Sequence, residues 1–216
     1  MNHMSEKVKK ELRAAFAKLQ KDVRIDFFTQ EVECRFCLET RDLLQEIVSL
    51  SARLKLEIHD LIKDDAQVKK FAIRRIPAIA IGDDRDYGIR FYGIPSGYEF
   101  ASLLEAIKTV STGEIHLKPE TKTFLDSLSQ EVHLQVFVTP TCPYCPGAVI
   151  LAQQMAFTSP KVRADMIEAT EYPHLAQRYQ VMGVPRTVIN ESTFIEGAVP
   201  EAVMIDKIKE ALKTGN

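Results

Sequence analysis

The sequence predicts an α/β protein made of two tandem domains of one fold, each a mixed β-sheet flanked by helices. Three observations carry that expectation. All four cysteines fall in two Cys-x-x-Cys pairs, Cys34 with Cys37 and Cys142 with Cys145, whose first members lie 108 positions apart, half of the 216-residue chain. An aliphatic-proline step follows each pair at the same distance, Ile76-Pro77 forty positions after Cys37 and Val184-Pro185 forty after Cys145. Between these landmarks the same offset aligns Phe71 with Tyr179, Ile73 with Val181 and Ile76 with Val184. Solenoid units that share one continuous core repeat every ~20–50 residues. A longer period predicts that each copy buries its own core, over residues 1–112 and 118–216.

The elements follow in order. Val8, Leu12, Ala15, Phe16 and Leu19 recur at helical spacing and predict a helix over 5–20. The aromatic and β-branched run at 24–30 predicts a strand, after which the first cysteine pair opens a helix whose apolar face is Leu38, Leu43, Leu44, Ile47 and Val48. A strand at 54–59, a short helix from Val68 to Phe71, and two strands at 77–82 and 87–93 follow, the first strand of that hairpin ended by Gly82, Asp83 and Asp84. A helix from Glu99 to Val110 closes the copy. The second half repeats this order with a hairpin four residues shorter, because Gly197 answers Gly93 at an offset of 104. Residues 111–119 read as the linker.

Composition bounds the function. With 45% hydrophobic and 27% charged residues and a net charge of -2, the chain reads as an ordinary globular protein. Lys and Arg are dispersed and balanced by acids, so no basic stripe offers a phosphate backbone its counterions, and nucleic-acid binding is not expected. No apolar run has the length of a signal peptide or a membrane span; Met4 is a second candidate start, and a cytoplasmic protein with no membrane contact is expected. Where thiols are kept reduced, paired cysteines point to catalysis, redox sensing or metal binding rather than to structural staples.

A cysteine at a helix start meets free backbone N–H groups and the positive end of the macrodipole, which favour thiolate over thiol. Cys34 and Cys142 are therefore the expected nucleophiles, and Cys37 and Cys145 the resolving thiols that release a mixed disulfide. Cys-Pro-Tyr-Cys at 142–145 resembles the glutaredoxin motif, and residues 179–189 resemble the segment around the cis-proline of thioredoxins. Two such motifs in a chain of this length resemble the protein disulfide oxidoreductases of thermophilic archaea and bacteria, which implies two tandem thioredoxin-like domains. The resemblance implies cis-prolines beside the cysteines, and Ile76, Pro77, Val184 and Pro185, with Pro143 and Tyr144, as substrate contacts. It also implies protein disulfide or dithiol substrates, no cofactor beyond the redox-active disulfides, and a thioredoxin reductase and a peroxiredoxin as partners.

The first motif, Cys-Arg-Phe-Cys, departs from the usual sequences of either family, and the chain has no Trp. The position six before the first cysteine, where thioredoxins bury an Asp, holds Phe28 and Val136; Asp60 and Glu168, 108 apart, are candidate proton acceptors. Phe36 and Tyr144 either border a substrate groove or cover a helix end, Arg35 is read as a solvated side chain, and Pro146 is expected to kink its helix. Glu31 and Glu33, opposed by Arg35 alone, predict that the Cys142 pair carries most of the reductase turnover. Rival readings are a glutathione-dependent glutaredoxin, an electron carrier between a reductase and a peroxidase, a protein in which one copy only docks, and a zinc site. A zinc ribbon brings its pairs within about 15–20 residues, which these pairs do not satisfy.

Overall fold

The computed structural model of the chain describes residues 4–214. The outermost positions of the two expected domains, 1–3 and 215–216, lie outside the described residues. The first half runs α1 (Glu6–Phe16), β1 (Val23–Thr29), α2 (Cys37–Val48), β2 (Leu54–Asp60), α3 (Asp65–Lys70), β3 (Ala78–Gly82), β4 (Asp86–Tyr92) and α4 (Glu99–Thr112). The second repeats it as α5 (Pro119–Asp126), β5 (Val132–Val138), α6 (Cys145–Thr158), β6 (Val162–Glu168), α7 (Pro173–Arg178), β7 (Arg186–Ile189), β8 (Thr193–Glu196) and α8 (Glu201–Thr214).

The repeat reaches down to individual turns. Ala72 and Gln180, 108 apart, both take positive φ just past α3 and α7. The next residue in each copy folds back on its helix, Ile73 N–H donating to Val68 O and Val181 N–H to Ala176 O, which satisfies an orphan carbonyl of the helix end. Phe71 and Tyr179 then pack their rings on Phe28 and Phe137, at 5.5 and 5.8 Å between centroids. The shorter second hairpin is a two-residue turn with positive φ at Asn190 and Glu191, closed by Ser192 N–H on Ile189 O.

All eight strands form one sheet in the order β2-β1-β3-β4-β6-β5-β7-β8. Within each half the crossover strand pairs parallel and the hairpin antiparallel, and β4 joins β6 in parallel with Ile89 opposite Ala164 and Tyr92 opposite Ile167. The halves therefore sit head to tail along one sheet. One face carries a core that crosses the join, including Phe27, Leu44, Phe91, Ile107, Val136, Val149 and Met155; the other carries Phe28, Phe71, Tyr92, Phe137, Ile167, Tyr172 and Tyr179. The expectation that each copy buries a separate core is corrected here: β4 and β6 are apolar enough to pair, and pairing removes two sheet edges.

Two boundaries differ from expectation. α4 runs on to Thr112, and the segment between α4 and α5 shortens to 113–118. Ser111 is buried, and its hydroxyl accepts from Gln20 and Lys21 N–H and donates to Lys21 O, which holds the last helical turn in place. Leu38, expected on the buried face of α2, is 60% exposed: the buried face runs through Cys37, Thr40, Leu43, Leu44 and Ile47, and Leu38 lies off it.

Candidate functional site

Each cysteine pair forms a disulfide, Cys34–Cys37 and Cys142–Cys145, with Cα atoms 5.4 and 5.5 Å apart. α2 and α6 begin at the second cysteine of each pair, so Cys34 and Cys142 lie in the preceding turn rather than in the first helical turn. That places the first sulfur before the helix end, where the opening N–H groups lack partners within the helix. Cys145 N–H points at Cys142 Sγ at 3.1 Å. The same sulfur lies 3.7 Å from the carbonyl oxygen of Val184. Cys37, Cys142 and Cys145 are buried and Cys34 is half-buried.

Both aliphatic-proline steps, Ile76-Pro77 and Val184-Pro185, are cis. Gly93 N–H donates to Pro77 O and Gly197 N–H to Pro185 O, at 3.0 and 2.8 Å, tying each proline to the end of its hairpin's second strand. The glycines that differ in register by four residues therefore do the same work. Tyr144 is exposed at the tip of the second motif beside Pro143, while Phe36 is half-buried with the Arg35 guanidinium 5.1 Å above its ring. Arg35 is exposed, as expected of a solvated side chain, and lies over that ring. Pro146 stands at the start of α6, where no intrahelical acceptor awaits an N–H, so it opens the helix instead of kinking it.

Phe28 and Val136 are buried among apolar side chains, as their type requires. Asp60 and Glu168 act as turn caps: Asp60 accepts Ile62 and Lys63 N–H, which hold its carboxyl below the usual range, and Glu168 accepts from Thr170 and from Glu171 N–H. Two carboxyls not anticipated from the sequence are more unusual. Glu99, in the first turn of α4, is 1% exposed; burial raises its pKa to about 7, Ser102 donates to one oxygen and the other has no partner among the described residues. Glu171 takes Ile94 N–H across the join and is pushed to about 7 by burial, with the charges of Glu168 and Glu39 adding to it.

The two centres differ in their flanks. β2, beside the first disulfide, is one of the two open edges of the sheet, whereas its counterpart β6 is covered by β4. A cavity of about 430 Å³ opens next to Cys34 and Cys37, with Arg41 and Lys63 in its wall. At an offset of 108 these cations are replaced by Val149, which is buried, and by Glu171, which faces the join. That mismatch in an otherwise regular repeat was a signal available in the sequence. At the second centre, the Gly97 Cα abuts the carbonyl of Pro140, two residues before Cys142, and Tyr98 N–H donates to the same oxygen. Only a residue without Cβ fits there, and Gly97 also has φ +59°.

A thioredoxin-domain family model matches residues 132–210. The structure of a protein disulfide oxidoreductase from Aeropyrum pernix K1 is 32% identical, superposes with a TM-score of 0.92, and covers 97% of this chain and 94% of its own. The chain belongs to the protein disulfide oxidoreductase family. As such it is a thiol-disulfide oxidoreductase of tandem thioredoxin folds with two Cys-x-x-Cys centres. The N/C domain of alkylhydroperoxide reductase AhpF from Enterococcus faecalis is also similar, at 28% identity and a TM-score of 0.88 over 95% of this chain and 99% of that one. The F component of alkyl hydroperoxide reductase from Xanthomonas campestris pv. phaseoli is 27% identical over 170 residues, 79% of this oxidoreductase but 30% of the relative. The chain thus spans about a third of the length of the curated relatives it matches. No helix among the described residues is long and apolar enough to cross a membrane.

Proposed function

We propose that the protein exchanges electrons with protein disulfides, and that Cys142 and Cys34 are the attacking sulfurs and Cys145 and Cys37 the resolving ones. The observation that carries this reading is the setting of Cys142 Sγ, between the Cys145 N–H and the Val184 carbonyl beside a cis-proline. The N–H group stabilises negative charge on the sulfur once the disulfide opens. The backbone of residues 183–185 then lies where an extended substrate chain can pair with it, and Val184, Pro185, Pro143 and Tyr144 supply its contacts, as Ile76 and Pro77 do in the first copy. In the exchange, the Cys142 thiolate attacks a substrate disulfide, one substrate sulfur leaves as a thiol, and Cys145 displaces the second while the pair closes again.

The two copies are proposed to span residues 1–112 and 118–216. Likeness to proteins named alkyl hydroperoxide reductase supports a relay in which a reductase supplies electrons and a peroxiredoxin accepts them, within the cytoplasm and with no cofactor other than the disulfides. The test is dithiol-driven reduction of insulin by the pure protein. Turnover well above the uncatalysed rate is expected, and a rate equal to background with both pairs reduced refutes the assignment.

A further inference from the structure

We propose that the cavity on the open flank of the first centre binds a small carboxylate-bearing disulfide of the glutathione type and that Cys34 and Cys37 exchange with it. This rests on the reading of the first pair as a redox centre and adds its substrate class. The cavity, about 430 Å³, falls within the ~300–1,000 Å³ of small-ligand sites and is lined by Cys34, Cys37, Arg41, Ile58, Asp60 and Lys63 among others. It is therefore sized for a short peptide disulfide arm, not for a folded chain.

Two cations, Arg41 and Lys63, share the wall with the acids Glu31, Asp60 and Asp64. Arg41 Nε is buried and has no hydrogen-bond partner among the described residues, a cost that a ligand acceptor removes. Lys63 holds Asp60 only loosely, at 3.8 Å, and its side chain is mostly exposed. The acids of the same wall are already engaged: Asp60 accepts two backbone N–H groups, and Asp64 accepts the N–H of Asp60. Glu31, exposed at the rim, is left to meet an ammonium group, so the wall suits a zwitterion. Leu38 and Ile58, both exposed, border the cavity and give the ligand's methylene groups an apolar surface.

The other flank of the first centre is braced by the second half. The Tyr172 hydroxyl donates to Pro77 O in the buried seam, and Glu171 holds Ile94 N–H. At the second centre the equivalents of Arg41 and Lys63 are Val149 and Glu171, so carboxylate recognition belongs to the first centre alone. In the reaction the Cys34 thiolate attacks one sulfur of the small disulfide and releases one small thiol, which takes up a proton. Cys37 then attacks Cys34 Sγ and releases the second small thiol, so two protein thiols are oxidised to a disulfide as one small disulfide is reduced to two thiols.

The experiment uses the full chain with Cys142→Ser and Cys145→Ser, reduced and mixed with glutathione disulfide, with the uncharged 2-hydroxyethyl disulfide or with the cationic cystamine. Oxidation by glutathione disulfide is expected to be at least about tenfold faster than by either control, and Arg41→Met to remove about tenfold of that preference, the worth of one charge-assisted contact. Lys63→Met should remove a smaller part. The rate with 2-hydroxyethyl disulfide in each variant reports that the sulfurs and the fold are intact. Equal rates for the three disulfides, or a preference untouched by Arg41→Met, overturn the proposal while leaving insulin reduction by the native chain as the separate test of the broader function; a Cys34–Cys37 pair that reacts with none of them overturns both the cavity's role and the first pair's.

Discussion

Strand β2 lies along an open edge with most of its residues exposed or half-buried, whereas β6, its counterpart 108 residues later, is buried at six of seven positions. The same chain segment thus has two environments. Fusing two copies head to tail gives the first centre a free flank on its β2 side and gives the second a free flank beyond β8. The charges follow the exposure: around the first cis-proline the chain reads Arg74-Arg75-Ile76-Pro77, and around the second Met182-Gly183-Val184-Pro185, with Met182 93% exposed. Duplication copies the sulfur chemistry, and the sheet then assigns the copies different surfaces.

The largest expected effect falls on that division of labour. Cys142→Ser should lower insulin reduction by about tenfold or more, because the second centre offers an apolar, open cis-proline loop to a protein chain, while Cys34→Ser should leave most of the activity. Initial rates of insulin precipitation for the two variants decide it. If Cys34→Ser is the more damaging, the comparison is reversed and the charged flank serves proteins as well.

The seam that creates the asymmetry can be broken next. Arg163 on β6 donates to Asp165, to the Tyr92 hydroxyl and to Ala72 O, so one guanidinium ties the second half to the first; against the burial of Asp165, His133 first and then Arg163 hold its pKa down to about 2. Arg24, with Asp26 and His59, forms a similar group wholly inside the first half. Removing one partner of a buried pair costs about 3–5 kcal/mol; with His133 still bonded to Asp165 and Arg163 partly exposed, Arg163→Met should cost about 2 kcal/mol. Denaturant melts should show this loss, and a second transition should appear for Arg163→Met but not for Arg24→Met. A single transition in both means that the shared core alone couples the halves.

Much of this was legible beforehand, and the limits are instructive. The strands, the helix order, the two centres and the cis-prolines follow from local patterns repeated at one offset, since turn and helix-end chemistry depends on neighbours in sequence. The β4–β6 join did not, because an apolar strand that ends one sheet and one that continues another read alike. Leu38 was misplaced because periodicity locates a face only to within about one residue on a short helix. Glu99 reads as an ordinary acid in a first helical turn; its burial comes from how α4 packs into the fold, which no local pattern encodes.

The two unanticipated carboxyls add a pH dependence at the join. Glu99 and Glu171 have folded-state pKa values raised to about 7 by burial, above their ordinary 4.5, so the folded protein holds protons that the unfolded chain has released. Their contribution is fully present below about pH 4.5 and is lost as pH rises through 7. Thermal melts should therefore show Tm falling between about pH 5 and 8, and Glu99→Gln and Glu171→Gln should each flatten the fall. A slope unchanged in both variants means that the carboxyls are solvated and the seam is looser than described.

The smallest effect sharpens the comparison at the second centre itself. Tyr144 is 72% exposed beside the buried Cys142–Cys145 disulfide, and among the described residues its ring packs on no other aromatic group, so it adds little to folding. Tyr144→Ala should leave denaturant stability within about 0.5 kcal/mol of the parent. A large exposed ring at the mouth of a loop proposed to bind protein substrates is nonetheless the kind of anchor whose truncation should lower affinity. The variant should therefore raise KM for insulin about threefold, a difference of about 0.65 kcal/mol, with little change in kcat. Its reaction with 2-hydroxyethyl disulfide, too small to reach the ring and the sulfur together, should stay the same. A fall in both reactions would mean that Tyr144 acts on the sulfur chemistry, and the second centre would then depend on its motif residues more than on its open flank.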